Sequence, residues 1–327
     1  MANRHSERAV TSGDVARASG VSRATVSYVL NDRADKRVSA TTRQLVLETA
    51  KTLGHVPNPS ARALRTGNST VILALVPSFS VGAVFEEMLE HLGALVSRRG
   101  YALLLHRLRS ESDTAAALRE LWSHVNPTAI AVLGGGHPPA LLTALEKISI
   151  ARVTTDIRVV DHRQIGQLQA RYLLEAGHRR LAFVAPNSED LAPIARQRFE
   201  GVLAACAEHG APTPKYRSVG PDIAHSTRAV NSLVATQTPV TAFCCYNDEV
   251  AVRVLLGTRE LGLREGEDLS IIGVDNTSSA LFDVSTVTID TLTIAQMLAS
   301  DLLDQRSVGA DQVGDRSFAT VISRGSG

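Results

Sequence analysis

From Thr70 onward, short apolar runs alternate with amphipathic segments, and nothing else in the sequence constrains the fold as tightly. TVILALVP, ALLLHRL, TAIAVLG and IARVTT each end in a turn, and helical stretches such as FEEMLEHLGALVSRR and TAAALRELWSHV lie between them. Near-continuous apolar strands alternating with helices predict a parallel sheet covered on both faces. The pattern starts again at RRLAFVAP and runs through KYRSVG, TAFCCY and LSIIGV. We therefore expect an α/β body of two doubly wound parallel-sheet subdomains in tandem, with a cleft between them. Ligands of such sheets bind beyond the carboxyl ends of the strands.

The stretch before the body, VTSGDVARASGVSRATVSYVLN from Val10 to Asn31, reads differently. Val15 and Ala16, then Val21, Val26, Val29 and Leu30, recur at helical spacing. Thr11 with Asp14 has capping-box spacing, with Asp in place of Glu. Gly20 ends the first helix, because a left-handed residue without a Cβ carries no penalty there. Ser22 caps the second helix. Small residues (Ala16, Ala18, Ala24) let the two helices approach closely. An all-α helix-turn-helix head follows, whose second helix would lie in a DNA major groove. An ordinary helical hairpin is the plainer alternative. Ser39 then caps a third helix from Ala40 to Leu53, with Leu45, Val46, Thr49, Ala50 and Leu53 as its buried stripe. A head of about 55 residues is near the lower limit for independent folding.

Pro57 and Pro59 mark a linker, yet Asn58 as cap and Pro59 at the first position also suit a short helix through Arg65. A helix so short is unstable alone in water. The domain boundaries expected are 1–56 for the head, 57–69 for the hinge or linker, and 70–327 for the body. Within the body, one subdomain takes 70–157 and 291–307, and the other 158–290 and 308–327.

DVARASGVSRATVSYVLN resembles the head of the lactose-repressor (LacI/GalR) family of bacterial transcription regulators, above all in Asp14-Val15-Ala16, Gly20-Val21-Ser22, Thr25-Val26-Ser27 and Leu30-Asn31. The resemblance continues in Val56-Pro57-Asn58, Ala61-Arg62-Ala63-Leu64, Gly177-His178-Arg179-Arg180, Asn247-Asp248-Glu249 and Gly273-Val274-Asp275. It implies a body of the type I periplasmic-binding-protein kind and a homodimer on a double-stranded, pseudo-palindromic operator. It puts base reading on Arg23 and Ala24: the Arg fork suits guanine O6 and N7, and the Ala methyl suits thymine. Ser22, Thr25 and Ser27 would hold phosphates. Asn31 and Ala61 belong to the same contact set, and Leu64 falls where the family's hinge helix wedges into the minor groove. Tyr28 stands where Arg or His is common, and its role is open.

The same resemblance brings Arg198, Asn247 and Asp275 into the cleft as effector contacts, joined by Tyr246 and by Phe79 as an apolar wall. The effector would be a small molecule, with a sugar or sugar derivative as one class. Aromatic residues are only 4%, against the flat walls sugars favour. From the residues alone, Asn247 and Asp248 equally suit capping the next helix, and Asp275 equally suits a turn. The loop PSFSVGAVF lacks the family's Asn-Pro-Phe, His162 replaces a common Asn, and DVSTV lacks the paired prolines.

The net charge of +1 hides an asymmetry: residues 1–68 hold 11 Lys/Arg against 5 Asp/Glu, a net of +6, and the remainder nets −5. A basic head on an acidic body suits a head that binds an anionic polymer. No run approaches the ~18 apolar residues of a membrane span, and MANRHSERAV lacks the apolar core of a signal peptide; we expect a cytoplasmic protein. Cys206, Cys244 and Cys245 make no disulfide framework, and no His/Cys metal spacing occurs. No catalytic constellation, cofactor or metal is expected. Gly134-Gly135-Gly136 lacks a following Gly-Lys-Ser/Thr and reads as a turn at the cleft rim; Trp122 reads as packing. The reading is a dimeric, effector-controlled repressor. Its rivals are the same regulator answering to a partner protein and a transport solute-binding protein.

Overall fold

In the computed structural model the described residues are 10–30, 38–55, 69–77, 82–108, 160–277, 281–304 and 318–325, with parts of 118–155. Asn31, Ala61, Leu64, Phe79 and Trp122 lie outside them. The chain divides into two compact units, Met1–Thr70 and Val71–Gly327.

Among its described residues the first unit holds three helices: α1 (Ser12–Ser19), α2 (Arg23–Leu30) and α3 (Ala40–Thr52). The capping box forms: the Thr11 side chain accepts from the Asp14 N–H, and Asp14 accepts from the Thr11 N–H at 2.9 Å. Gly20 closes α1 at φ 69°, the left-handed conformation a Cβ disfavours. Val15, Ala16, Val26, Val29, Val46 and Ala50 form the core, with Val10, Val21, Leu30 and Val38 at its margin. The stripe expected on α3 needs correction. Leu45 is 46% and Leu53 37% exposed, because only Val46 and Ala50 face the two partner helices.

The second unit contains two sheets. β1 (Val71–Pro77), β2 (Ala102–Leu108), β3 (Ala129–Val132) and β4 (Val153–Thr155) form a parallel sheet in the order β2-β1-β3-β4. Ile72, Ala74 and Val76 of β1 pack under α4 (Ala83–Arg98) and α9 (Thr291–Leu303). Leu73 and Leu75 point the other way, onto Leu118, Leu141 and Leu145. Both faces are covered, which is why the strand reads as unbroken apolar sequence.

The larger sheet runs β10-β9-β8-β7-β5-β6. Its strands are β5 (Leu181–Pro186), β6 (Lys215–Val219), β7 (Ala242–Cys245), β8 (Ser270–Val274), β9 (Ser285–Ile289) and β10 (Ala319–Ile322), with β10 alone antiparallel. Its helices are α5 (His162–Glu175), α6 (Ala192–Glu208), α7 (Ile223–Val234) and α8 (Asp248–Glu260). VSTVTID and SFATVIS hold β9 and β10, both in this sheet. Val160 and Ile289 each pack against both cores. All three cysteines are buried free thiols; burial pushes the Cys206 thiol up to about 11 and raises Cys244 and Cys245 well above the usual range. Among the described residues no helix is long and apolar enough to cross a membrane.

Candidate DNA-binding and effector sites

The head presents the start of α2. Ser22 accepts from the Thr25 N–H at 3.0 Å, and the two hydroxyls lie 2.9 Å apart. This caps the helix and leaves its first N–H groups at an exposed end, where the helix dipole favours an anion. Val26 and Val29 turn inward, while Ser22, Arg23 and Ala24 are exposed and Thr25, Ser27 and Tyr28 half-buried. Six of the nine residues expected to touch DNA therefore share one short helix and its cap.

In the second unit the expected effector residues among those described, Arg198, Tyr246, Asn247 and Asp275, come together at the carboxyl ends of the large sheet. Tyr246 follows β7 and Asp275 follows β8. Arg198, on α6, is 5% exposed; its Nη1 donates to the Tyr246 carbonyl and its Cζ sits 4.6 Å from the Tyr246 ring centroid. The Nε–H of Arg198 is buried without a hydrogen-bond partner. Burial raises the Asp275 carboxyl to about 6, against the opposing pull of the Arg198 cation. A Cβ placed on Gly82, at the head of α4, would lie 3.6 Å from Asp275 Oδ2, so the other subdomain closes the site opposite this carboxylate.

Asp275 has φ 103° and Asn276 φ 53°, conformations that L residues rarely adopt. The turn is held from several sides. The Asp275 N–H donates to Val287 O (2.8 Å), the Asn276 N–H to Thr286 Oγ1 (3.2 Å), and Arg324 Nη2 to Asn276 Oδ1 (2.6 Å). Asp248, wholly buried, accepts from the Thr277 N–H (2.7 Å) and the Thr286 hydroxyl (2.6 Å). Gln169 Nε2 donates to Cys245 O at 2.8 Å and so ties α5 to the end of β7. Asn247 is half-buried and caps α8, its Oδ1 accepting from the Val250 N–H at 3.0 Å. The capping alternative describes that oxygen correctly.

His162 belongs to this cluster and was noted in the sequence only as a departure. Burial and the Arg198 cation lower its imidazole to about 3, so it is neutral at physiological pH, and its Nδ1 is buried without a partner. The signal lies one turn further on. Gly166 and Gly201 let α5 and α6 cross in backbone contact: a Cβ on Gly166 would overlap the Arg198 carbonyl oxygen, and one on Gly201 that of Arg163. His162, four residues before Gly166, shares its helix face and so meets Arg198. An unpartnered imidazole nitrogen, an unpartnered guanidinium N–H and a carboxyl titrating near neutrality make a polar site able to exchange several hydrogen bonds with one small molecule.

Residues 12–58 match the family described as bacterial regulatory proteins, lacI family, and residues 170–326 match the periplasmic binding protein-like domain. The chain belongs to the LacI family. It is 29% identical over 286 residues to the HTH-type transcriptional repressor PurR of Klebsiella pneumoniae (strain 342), covering 82% of this chain and 81% of that one. It is also 29% identical over 280 residues to catabolite control protein A of Priestia megaterium, covering 82% and 83%. Among solved structures, the lac repressor dimer bound to operator and the anti-inducer ONPF superposes with a TM-score of 0.79 at 20% identity, over 98% of this chain and 99% of that one. A LacI-family regulator from Silicibacter pomeroyi gives 0.70 at 25% identity, over 97% and 99%. This LacI-family chain is a DNA-binding transcription regulator with the two-subdomain α/β body of its relatives.

Proposed function

We propose a cytoplasmic homodimeric repressor that binds a pseudo-palindromic operator and is controlled by a small molecule in the cleft of its body. The head, 1–56, meets DNA through Ser22, Arg23, Ala24, Thr25, Ser27, Tyr28 and Asn31. The hinge, 57–69, adds Ala61 and Leu64. The effector is held by Arg198, Asn247, Tyr246 and Asp275, with Phe79 and the newly noted His162 beside them.

The observation that carries the control mechanism is the buried Arg198 Nε–H without a partner, beside the equally unpartnered Nδ1 of His162. A buried donor left unmade costs on the order of 1–3 kcal/mol. A ligand acceptor at Arg198 would recover that, with further bonds to Asp275 and the Asn247 amide. Hydroxyl-rich molecules such as sugar derivatives offer this mixture. The test is a metabolite panel run against wild type and Asp275→Ala on an operator recovered from random-sequence DNA. Wild type should change affinity with at least one compound, whereas Asp275→Ala should keep its effector-free affinity and lose most of the response. A variant that responds as wild type does places the ligand elsewhere.

A further inference from the structure

Gly13 is the second residue of α1, half-buried in its first turn. Its backbone gives no reason for glycine, since its φ is not among the positive ones. Its neighbour does. A Cβ on Gly13 would lie 2.8 Å from Nη2, 3.0 Å from Nε and 3.1 Å from Cζ of Arg23. The first separation is closer than real Cβ atoms come to their neighbours and the other two are tighter than most, so a side chain at 13 would displace the guanidinium from where it sits. The obstructing atoms are the far end of a flexible, exposed side chain, not backbone or core. A residue larger than glycine would therefore leave the three-helix core intact and move only the guanidinium.

We infer that Gly13 is a specificity-determining positioning residue: it gives the Arg23 guanidinium a seat on α1 and so fixes the direction in which Arg23 enters the groove. This rests on the reading that Arg23 meets base edges. Two further features of the head agree. Arg23 is the first residue of α2, at its exposed end, where the side chain has no helical neighbours before it to confine it. A guanidinium also reads guanine only when its planar fork is aligned with two acceptors, so a surface that limits its rotamers sharpens the choice of base. Limiting them before binding reduces the ordering loss on binding.

The experiment uses the full-length protein and the duplex that wild type selects from random-sequence DNA. Affinities for that duplex and for single-base variants of each half-site are measured for wild type, Gly13→Ala, Gly13→Ser, Arg23→Ala and the Gly13→Ala/Arg23→Ala double variant, alongside thermal melting. Arg23→Ala should lose about tenfold or more of the discrimination at one base position, the lower range for a bidentate contact. Gly13→Ala and Gly13→Ser should lose discrimination at that same position, with Gly13→Ala melting no lower than wild type. The double variant should be no worse than Arg23→Ala, because the two residues act as one. If both Gly13 variants keep wild-type preference while Arg23→Ala loses it, the inference is overturned and the reading of Arg23 stands. Additive losses in the double variant overturn it likewise. If Arg23→Ala keeps full discrimination, the reading of Arg23 fails and the inference falls with it.

Discussion

Asp275 and His162 titrate abnormally for the same reason, burial of a charge, and the pH dependences they give to stability have opposite signs. The Asp275 carboxyl is raised to about 6 by burial, whereas an unfolded Asp titrates near ~3.9. Between those values the folded state holds the extra proton, so stability falls as pH rises through the window. Above about pH 6 the full penalty, on the order of 3 kcal/mol, is present. His162 is lowered from 6.5 to about 3. There the unfolded chain binds the extra proton, so stability falls as pH drops below 6.5. Across roughly pH 4 to 6 the two slopes oppose each other. Urea denaturation of Asp275→Asn should show a gain in stability at pH 7.5 that shrinks toward pH 4.5. His162→Asn should remove the acid-side loss and expose the Asp275 slope. Parallel pH profiles for wild type and both variants would show that neither group carries the stated shift. A carboxylate whose burial and left-handed backbone both oppose folding is the arrangement expected where a ligand, not the fold, has selected the residue.

At the scale of elements, the α5–α6 crossing sets the cleft. Gly166→Ala and Gly201→Ala each push a methyl into backbone that is already in contact. Helix propensity alone would favour alanine by up to about 1 kcal/mol. Overpacking opposes it by about 1–3 kcal/mol, more where backbone cannot yield. We expect a net loss of about 2 kcal/mol or more in each, seen as a lower denaturation midpoint, with the effector response weakened because His162 and Arg198 are forced apart. An unchanged or higher midpoint would mean that the helices shift freely. The crossing also shows what could be read from sequence. Thr11, Asp14, Gly20 and Ser22 were legible because caps and stops are satisfied within a few residues. The alternation of strands and helices was legible because central strands such as β1 are covered on both faces, although Leu104 and Leu105 on β2 are exposed. The stripe on α3 was read too widely: periodicity gives every apolar residue on a helix, and only the packing decides that Val46 is inside and Leu45 outside. His162 was not legible as a site residue, since its surroundings come from a glycine thirty-nine positions away, counted from His162 to Gly201. Arg198, Asn247 and Asp275 were reached through family resemblance; their spacing alone leaves caps and turns as equal readings.

For the whole molecule, charge is divided between the parts: residues 1–68 carry a net of +6 and the rest −5. Each phosphate neutralised by the head releases condensed counterion, with a slope of about −0.9 per contact in log affinity against log salt. Full-length protein should show a slope of several units, and neutralising arginines in the head should flatten it while acidic-body variants leave it unchanged. A flat plot for wild type would remove the electrostatic role of the head. The order of elements in the second unit has a different consequence, for how the chain is made. The four described strands of the small sheet are made by Thr155, but α9, which covers Ile72, Ala74 and Val76 together with α4, begins only at Thr291. At about 5–20 residues per second, the ribosome leaves that apolar face half-dressed for roughly ten seconds to half a minute. The large sheet emerges meanwhile with its core nearly whole. The subdomain begun first thus waits for its cover until most of the second has emerged, and its nascent form is the moment at which this chain offers a chaperone, or another nascent copy, something to hold.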